Sequence, residues 1–241
     1  MPVIPMVPSQ PDDPALQAIF AEVRARGIEV PDLYRVMGNA PAMLRAWIDF
    51  AWPLRLNAKT SRAIRELLIL RGAQIGGVDY EWAHHIPMAL EAGVPQAKID
   101  ALASWQDSPL FDARERAVLR LADEVTRGPG ASEACMQALG AFYNHAEIVE
   151  LTLTSSFYVC VSRFLTSMRL ELEPDYEHLR LKAFNRKRWQ LESVQPELLV
   201  TACANCRLTM EEGLDHYKME IPIAGLTEMI AEHLKEDESA A

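Results

Sequence analysis

Hydrophobic residues recur at every third or fourth position through most of the first 175 residues, and Pro and Gly stand at the interruptions. This period predicts a series of amphipathic helices. The predicted helices cover approximately 12–26, 41–56, 60–76, 79–92, 95–105, 113–127, 132–143 and 145–172. The first part of the chain is therefore predicted to be an all-α helical bundle.

Polar residues stand where several of these helices are expected to begin. Asn39, Asp79, Asp112 and Ser132 are of the residue types that accept hydrogen bonds from the first free amides of a helix, so we expect each of them to be an N-cap. Pro87 falls inside the helix that starts at Asp79 and removes one of its backbone hydrogen bonds, which predicts a kink.

The last of these helices, 145–172, is apolar around much of its circumference. Helices of this kind lie at the centre of a bundle or at a subunit interface, so we expect 145–172 to be central and the protein to form a homo-oligomer, as a trimer or hexamer. Cys135 and Cys160 have apolar neighbours in sequence and are expected to be inert core thiols.

The character of the chain changes after Pro174. A basic segment, 180–189, precedes a predicted strand at 197–202, the pair Cys203 and Cys206, a helix at 208–217, an extended segment at 220–223 and a final helix at 226–234. This order predicts a small C-terminal α/β appendage. We therefore expect a helical domain at 1–176 and an extension at 177–241.

Composition limits the function classes. The chain has 241 residues, 49% of them hydrophobic, and a net charge of −10, which argues against general nucleic-acid binding. We find no run of about 18 uncharged apolar residues, so a membrane span is not expected. The N-terminus is broken by prolines and lacks the basic region of a signal peptide. We therefore expect a cytoplasmic protein with reduced cysteines.

Three titratable residues are the candidates for chemistry. Glu66 lies in an apolar helix, where an unpaired carboxylate is costly. Glu81 and His85 are four residues apart and share a helix face, so the carboxylate is expected to orient the imidazole. We expect His85 to face Glu66, with the adjacent His84 as the alternative. This combination predicts an acid–base site.

The order of these residues, with Tyr80-Glu81-Trp82 before the histidines and Gly93-Val94-Pro95 after them, resembles the carboxymuconolactone decarboxylase and alkylhydroperoxidase D-like superfamily over about residues 12–175. In the peroxidase branch a Cys-x-x-Cys pair falls at the positions that Val78 and Glu81 occupy here. Thiol peroxidases need a thiolate. The resemblance therefore favours the decarboxylase-like branch.

The resemblance implies a cofactor-independent, decarboxylase-like lyase that acts on a small carboxylated or lactone-type molecule. In that interpretation His85 moves the proton, Glu81 orients it, and Glu66 relays or holds a proton. We expect a substrate carboxylate to bind Arg65 or Arg71. The pocket is expected to be shaped by Tyr80, Trp82 and His84.

Two other classes stay open at this stage: a thiol peroxidase or electron-transfer protein, and a non-catalytic oligomeric accessory protein. The segment 195–235 resembles the end of the cysteine-rich iron–sulfur domain of heterodisulfide-reductase-like proteins. Cys203 and Cys206 supply only two of the four ligands that a cluster or zinc ion needs, so no metal is expected. A di-iron site is not expected either, because Glu81-x-x-His84 has no second copy in the chain.

Overall fold

The structure is a computed structural model that describes residues 2–173, 191–192, 194–202 and 204–231. The chain divides into two compact units, Met1–Tyr176 and Glu177–Ala241. Each unit is described by itself.

In the described part of the first unit all regular elements are helices, which confirms the predicted fold class. Its elements are α1 (Pro14–Ala25), α2 (Asp32–Met37), α3 (Pro41–Leu56), α4 (Arg62–Gly76), α5 (Asp79–Glu91), α6 (Gln96–Ala101) with a short 3-10 turn (Leu102–Ser104), α7 (Ala113–Arg127), α8 (Glu133–Gly140) and α9 (His145–Met168). Helix α2 is absent from the sequence-based prediction, because its single period is too short to stand out.

Two of the four predicted N-caps are confirmed and two are wrong. Asp112 and Ser132 accept hydrogen bonds from the first turns of α7 and α8. Asn39 instead donates its amide to the carbonyls of Pro5 and Val36. Asp79 is the first residue of α5, and the extended residue before it, Val78, takes the cap position without a side-chain hydrogen bond.

Helix α4 is the centre of the bundle and packs against α5, α7 and α9. Leu67, Leu68, Ile69 and Leu70 are consecutive and all are buried, so every side of the helix faces protein. A helix buried all round belongs to the interior of its domain. The prediction that the last helix is the central one is therefore wrong.

Helix α9 buries one face and exposes the other. Leu151, Tyr158 and Leu165 are buried, whereas Val149 and Leu153 are exposed. By length and composition helix α9 could cross a membrane. One such helix is weak evidence for a membrane span, since core helices of soluble proteins can be equally long and apolar. The expectation that Cys160 is a core thiol is also wrong, because Cys160 is exposed, whereas Cys135 is buried as predicted.

Two groups of buried side chains hold the first unit together. The helices α1 to α3 share one group, which includes Phe20, Leu44 and Ile48, and the indole of Trp52 donates to the Tyr34 hydroxyl at 3.3 Å. The helices α4, α5, α7, α8 and α9 share the other. Each fully buried Leu or Phe contributes about 1.5–3 kcal/mol through burial.

The second unit contains a two-stranded parallel sheet. Strand β1 (Leu199–Thr201) pairs with β2 (Ile223–Gly225) in the register Leu199 to Ile223, and helix α10 (Ala204–His216) connects them. Parallel strands need such a crossover. The second strand lies three residues later than the predicted extended segment. The basic segment 180–189 lies outside the described residues, as does the part of the final predicted helix beyond 231.

Candidate active site

A glutamate and a histidine from two successive helices meet in the interior of the first unit. Helix α4 carries Glu66 and is followed by Gly77, whose φ of 63° is left-handed and reverses the chain into α5. Helix α5 then returns along α4 and brings His85 to Glu66. The His85 Nδ1 and Glu66 Oε2 atoms are 2.7 Å apart and both residues are buried, which confirms the predicted hydrogen bond.

Two arginines surround this pair and set its charge. Arg62, one turn before Glu66 on α4, forms an ion pair with the other carboxylate oxygen, and Arg55 acts on the pair from α3. Burial opposes ionisation of Glu66, but His85 and the two arginines outweigh it and lower the pKa of this carboxyl. Burial is the main cause that lowers the pKa of His85; Glu66 opposes this effect, and the same two arginines add to it. The result is an ionised Glu66 that holds a neutral His85.

The orientation of His85 fixes its tautomer. Because Glu66 is a carboxylate, Nδ1 carries the hydrogen and donates it. The lone pair is then on Nε2, which has no hydrogen-bond partner among the described residues. The Tyr158 ring packs edge-on against the imidazole with the ring centroids 4.9 Å apart. His85 is therefore a positioned base.

Glu81 does not orient His85, contrary to the expectation from their spacing. Its carboxyl is hydrogen-bonded to the Ser162 hydroxyl of α9, and its other oxygen, Oε1, is buried without a partner. Burial raises the pKa of Glu81 to about 8, and the Ser162 hydrogen bond opposes this only in part. Glu81 is therefore mainly a neutral carboxylic acid at pH 7, which can donate a proton.

Glu81 and His85 both line one cavity of about 540 Å³. Glu81, His84 and His85 line one side, and aromatic and aliphatic side chains cover much of the rest. The other lining residues are Gly27, Ile28, Glu29, Val30, Pro31, Asp32, Leu33, Tyr34, Trp47, Ala51, Arg55, Tyr80, Met88, Phe157, Tyr158, Val161, Leu165 and Glu173. An apolar cavity with few convergent polar groups is typical of a small-molecule site.

A second set of polar residues forms the rim of the cavity. Glu173, after α9, accepts a hydrogen bond from the Tyr80 hydroxyl at 2.7 Å and lies 2.7 Å from His84 Nε2. The Tyr80 and His84 rings stack with their centroids 4.4 Å apart. Burial opposes ionisation of Glu173, but the hydrogen bonds from His84 and Tyr80 lower its pKa. The expected wall residues Tyr80 and His84 thus do line the cavity.

Residues 41–124 match the model of the Carboxymuconolactone decarboxylase family. This region contains Glu66, Glu81 and His85, whereas Ser162 and Glu173 lie beyond it. A comparison with curated proteins gives no match.

Several solved structures share the fold. A putative antioxidant defence protein AhpD from Agrobacterium tumefaciens is 23% identical, with a TM-score of 0.53 over 57% of this chain and 95% of its own. A Cys-to-Ala variant of the debrominase Bmp8, in complex with 2,3,4-tribromopyrrole, is 17% identical, with a TM-score of 0.64 over 74% of this chain and 97% of its own.

A peroxidase-related protein from Silicibacter sp. TM1040 is 21% identical, with a TM-score of 0.61 over 73% of this chain and 95% of its own. At identities this low, the likeness to all three structures establishes the AhpD-like fold and does not extend to activity.

Three of the residues predicted to bind substrate are not brought to this cavity. Arg71 forms a buried ion pair with Asp123 of α7 and donates to the Leu102 carbonyl. Arg65 donates to the Thr60 hydroxyl and to the Arg55 carbonyl, and it does not line this cavity. Trp82 does not line the cavity.

Four functional candidates were missed in the sequence. Arg62 had a usable signal, since it precedes Glu66 by four residues on one helix. Arg55, Ser162 and Glu173 had none, because they reach the site only through the packing of α3, α9 and the segment after α9.

The described residues offer no thiol or metal cluster at this site. In the resemblance drawn from the sequence, Val78 and Glu81 fall at the positions of the peroxidase cysteines, and in the structure neither Cys135 nor Cys160 lines the cavity. Within the described ranges, no group of three or more His, Cys, Asp or Glu residues could hold a metal ion. Cys203 and the Cys206 side chain lie outside what the structure describes. The expectation that this pair binds no metal therefore stays a prediction, as does the resemblance of the tail to an iron–sulfur domain.

Proposed function

We propose that this protein is a cofactor-independent acid–base enzyme that moves a proton at carbon in a small carbonyl compound, with a carboxylated or lactone-type molecule as the substrate class. The observation that carries the proposal is the pairing, in one cavity, of a neutral histidine held by an ionised glutamate with a glutamic acid that stays protonated. When the pKa values of two neighbouring titratable groups are shifted in opposite directions, one group can be the acid and the other the base at the same pH.

In this proposal His85 is the base. Its Nε2 takes a proton from a carbon next to the substrate carbonyl, and the Glu66 carboxylate stabilises the imidazolium that forms. The electron pair of the broken C–H bond moves to the carbonyl oxygen. Returning the proton to a different carbon completes an isomerisation.

Glu81 is the acid in the same proposal. Its protonated carboxyl donates a hydrogen bond to the oxygen on which negative charge develops. If the substrate loses CO₂ instead of a proton, the electron pair of the broken C–C bond forms the same enolate, and Glu81 supplies the proton that the carbon then takes up. The Ser162 hydroxyl holds this carboxyl in place.

The family of residues 41–124 and the shared fold support an enzyme of this general kind, and the cavity supports a small substrate. The debrominase neighbour is described with a brominated pyrrole, which is also a small ring. A thiol-based redox function is the alternative, but no described cysteine lines the cavity.

The proposal is tested by a screen of small carboxylated lactones for CO₂ release and for deuterium incorporation in D₂O. For an active compound, we expect His85→Ala to lower turnover by roughly a hundredfold or more. His145→Ala is the matched control, since it removes an exposed histidine at the start of α9 that does not line the cavity. Equal rates in His85→Ala and the unmodified protein would remove the acid–base function and favour a non-catalytic role.

A further inference from the structure

Four arginines line a second cavity, of about 800 Å³, on the outer side of α3 and α4. They are Arg26, Arg55, Arg62 and Arg65, and Glu91 is the one carboxylate among the residues that line it. We call this cavity the arginine groove. The chain as a whole has a net charge of −10, so these arginines give the cavity the opposite charge sign. A groove of one charge sign concentrates ligands of the opposite sign.

The guanidinium groups of the groove are incompletely neutralised. Arg55 has no carboxylate within ion-pair distance among the described residues, and its guanidinium contacts the Met88 sulfur at 3.3 Å. Arg65 is 4% exposed, donates to carbonyl and hydroxyl oxygens, and keeps a buried Nε atom without a partner. Burial and the neighbouring Arg62 lower the pKa of Arg65, whereas Glu150 and Glu66 act in the opposite direction.

The other two arginines are held in place while they face the groove. The Arg26 guanidinium lies over the Trp52 ring, 4.1 Å from its centroid, and reaches Glu22 at 3.8 Å. Arg62 is paired with Glu66. Planar guanidinium groups fixed in this way match the oxygens of a carboxylate or phosphate and lose little freedom on binding.

The groove adjoins the cavity that His85 lines. Ile28, Arg55 and Met88 line both. A molecule that places an anionic group against Arg55 in the groove can therefore extend its uncharged part past Met88 into the apolar cavity. Arg62 lies between the two as well, because it lines the groove and pairs with the carboxylate that holds His85.

We propose that the arginine groove is an anion-binding subsite, which takes the carboxylate or phosphate group of an elongated substrate whose uncharged part lies beside His85. The second half of this statement rests on the proposed function, whereas anion binding does not. The subsite differs from the one expected in the sequence, since Arg71 has no part in it and Arg65 acts together with three arginines that were not anticipated.

The experiment is isothermal titration calorimetry of the full chain with unreactive probes: inorganic phosphate, succinate, and succinamide as the uncharged analogue. We expect phosphate or succinate to bind and succinamide not to bind, and the stronger of the two anions identifies the group that the subsite prefers. We expect Arg55→Gln and Arg26→Gln each to weaken binding by roughly tenfold, as for loss of a charge-assisted hydrogen bond. Both side chains are partly exposed, so the fold does not depend on them.

Two controls separate the subsite from the proposed chemistry. Arg163→Gln removes an exposed arginine of α9 outside the groove and should leave the affinity unchanged. His85→Ala should lower turnover by roughly a hundredfold or more but keep anion binding. The subsite proposal is overturned, whatever the activity, if the unmodified protein binds no probe at millimolar concentration. It is also overturned if Arg163→Gln and Arg55→Gln lose the same amount of anion affinity. Anion binding without activity on any lactone keeps the subsite and removes the function.

Discussion

Replacement of Glu81 by glutamine is expected to change how stability depends on pH. The folded protein holds the proton of Glu81 up to a pKa of about 8, whereas the unfolded chain releases it near 4.5. Between these values the folded state binds more protons, so the contribution of Glu81 to stability is fully present below pH 4.5 and is lost as pH rises through about 8. At about 1.4 kcal/mol per pKa unit, the loss is on the order of 5 kcal/mol.

Glutamine keeps the shape of the neutral carboxyl and has no proton to lose, so Glu81→Gln removes this dependence. The measurement is the free energy of unfolding in urea from pH 5 to pH 9 for the unmodified protein and the variant. We expect the variant to become the more stable of the two as pH rises, by several kcal/mol at pH 9. Glu133→Gln, an exposed glutamate at the start of α8, is the control. A difference between the unmodified protein and Glu81→Gln that stays constant with pH would mean that Glu81 is ionised when folded, and it would refute the assignment of Glu81 as the acid.

The same contacts support three more predictions. Turnover of an active compound should fall above about pH 8, because Glu81 loses its proton there. On the acid side turnover should fall only below pH 6.5, because the pKa of His85 is lowered. A pH–rate profile measures both limits. Asp123→Asn should destabilise the fold by about 3–5 kcal/mol in urea unfolding, because it leaves the buried Arg71 without its charge partner. Consumption of hydrogen peroxide should be negligible and unchanged in Cys160→Ser, since Val78 and Glu81 replace the thiols of the peroxidase branch.

The helical class and the Glu66–His85 contact could be predicted because both depend on local period and on one short turn. Helices α4 and α5 are adjacent in sequence, so their antiparallel return brings residues 19 positions apart together with little ambiguity. The role of Glu81 could not be predicted in the same way. Its spacing from His85 allowed a hydrogen bond, but the partner it finds is Ser162, 81 residues later, and only the packing of α9 decides between them.

The position of the central helix shows the same limit. An apolar sequence identifies a helix that can be buried, but it does not state which faces are covered within one chain. Helix α4 contains charged residues and is nevertheless enclosed, because Glu66, Arg65 and Arg71 each find a buried polar partner. Helix α9 is more uniformly apolar and leaves Val149 and Leu153 exposed. The proposal of a trimer or hexamer therefore depends on that exposed face, and analytical ultracentrifugation at micromolar concentration would test it.

The enclosure of α4 also determines how the site can respond to a ligand. Local opening of a protein begins where few buried contacts must be broken, and backbone amides in the most enclosed helix exchange their hydrogens with solvent last. Glu66 is therefore expected to belong to the slowest-exchanging part of the first unit, whereas the short connection from Gly27 to Pro31, which also lines the cavity, is expected to open more readily. We therefore expect a substrate to enter by motion of that connection while the acid–base pair stays in its hydrogen-bonded geometry.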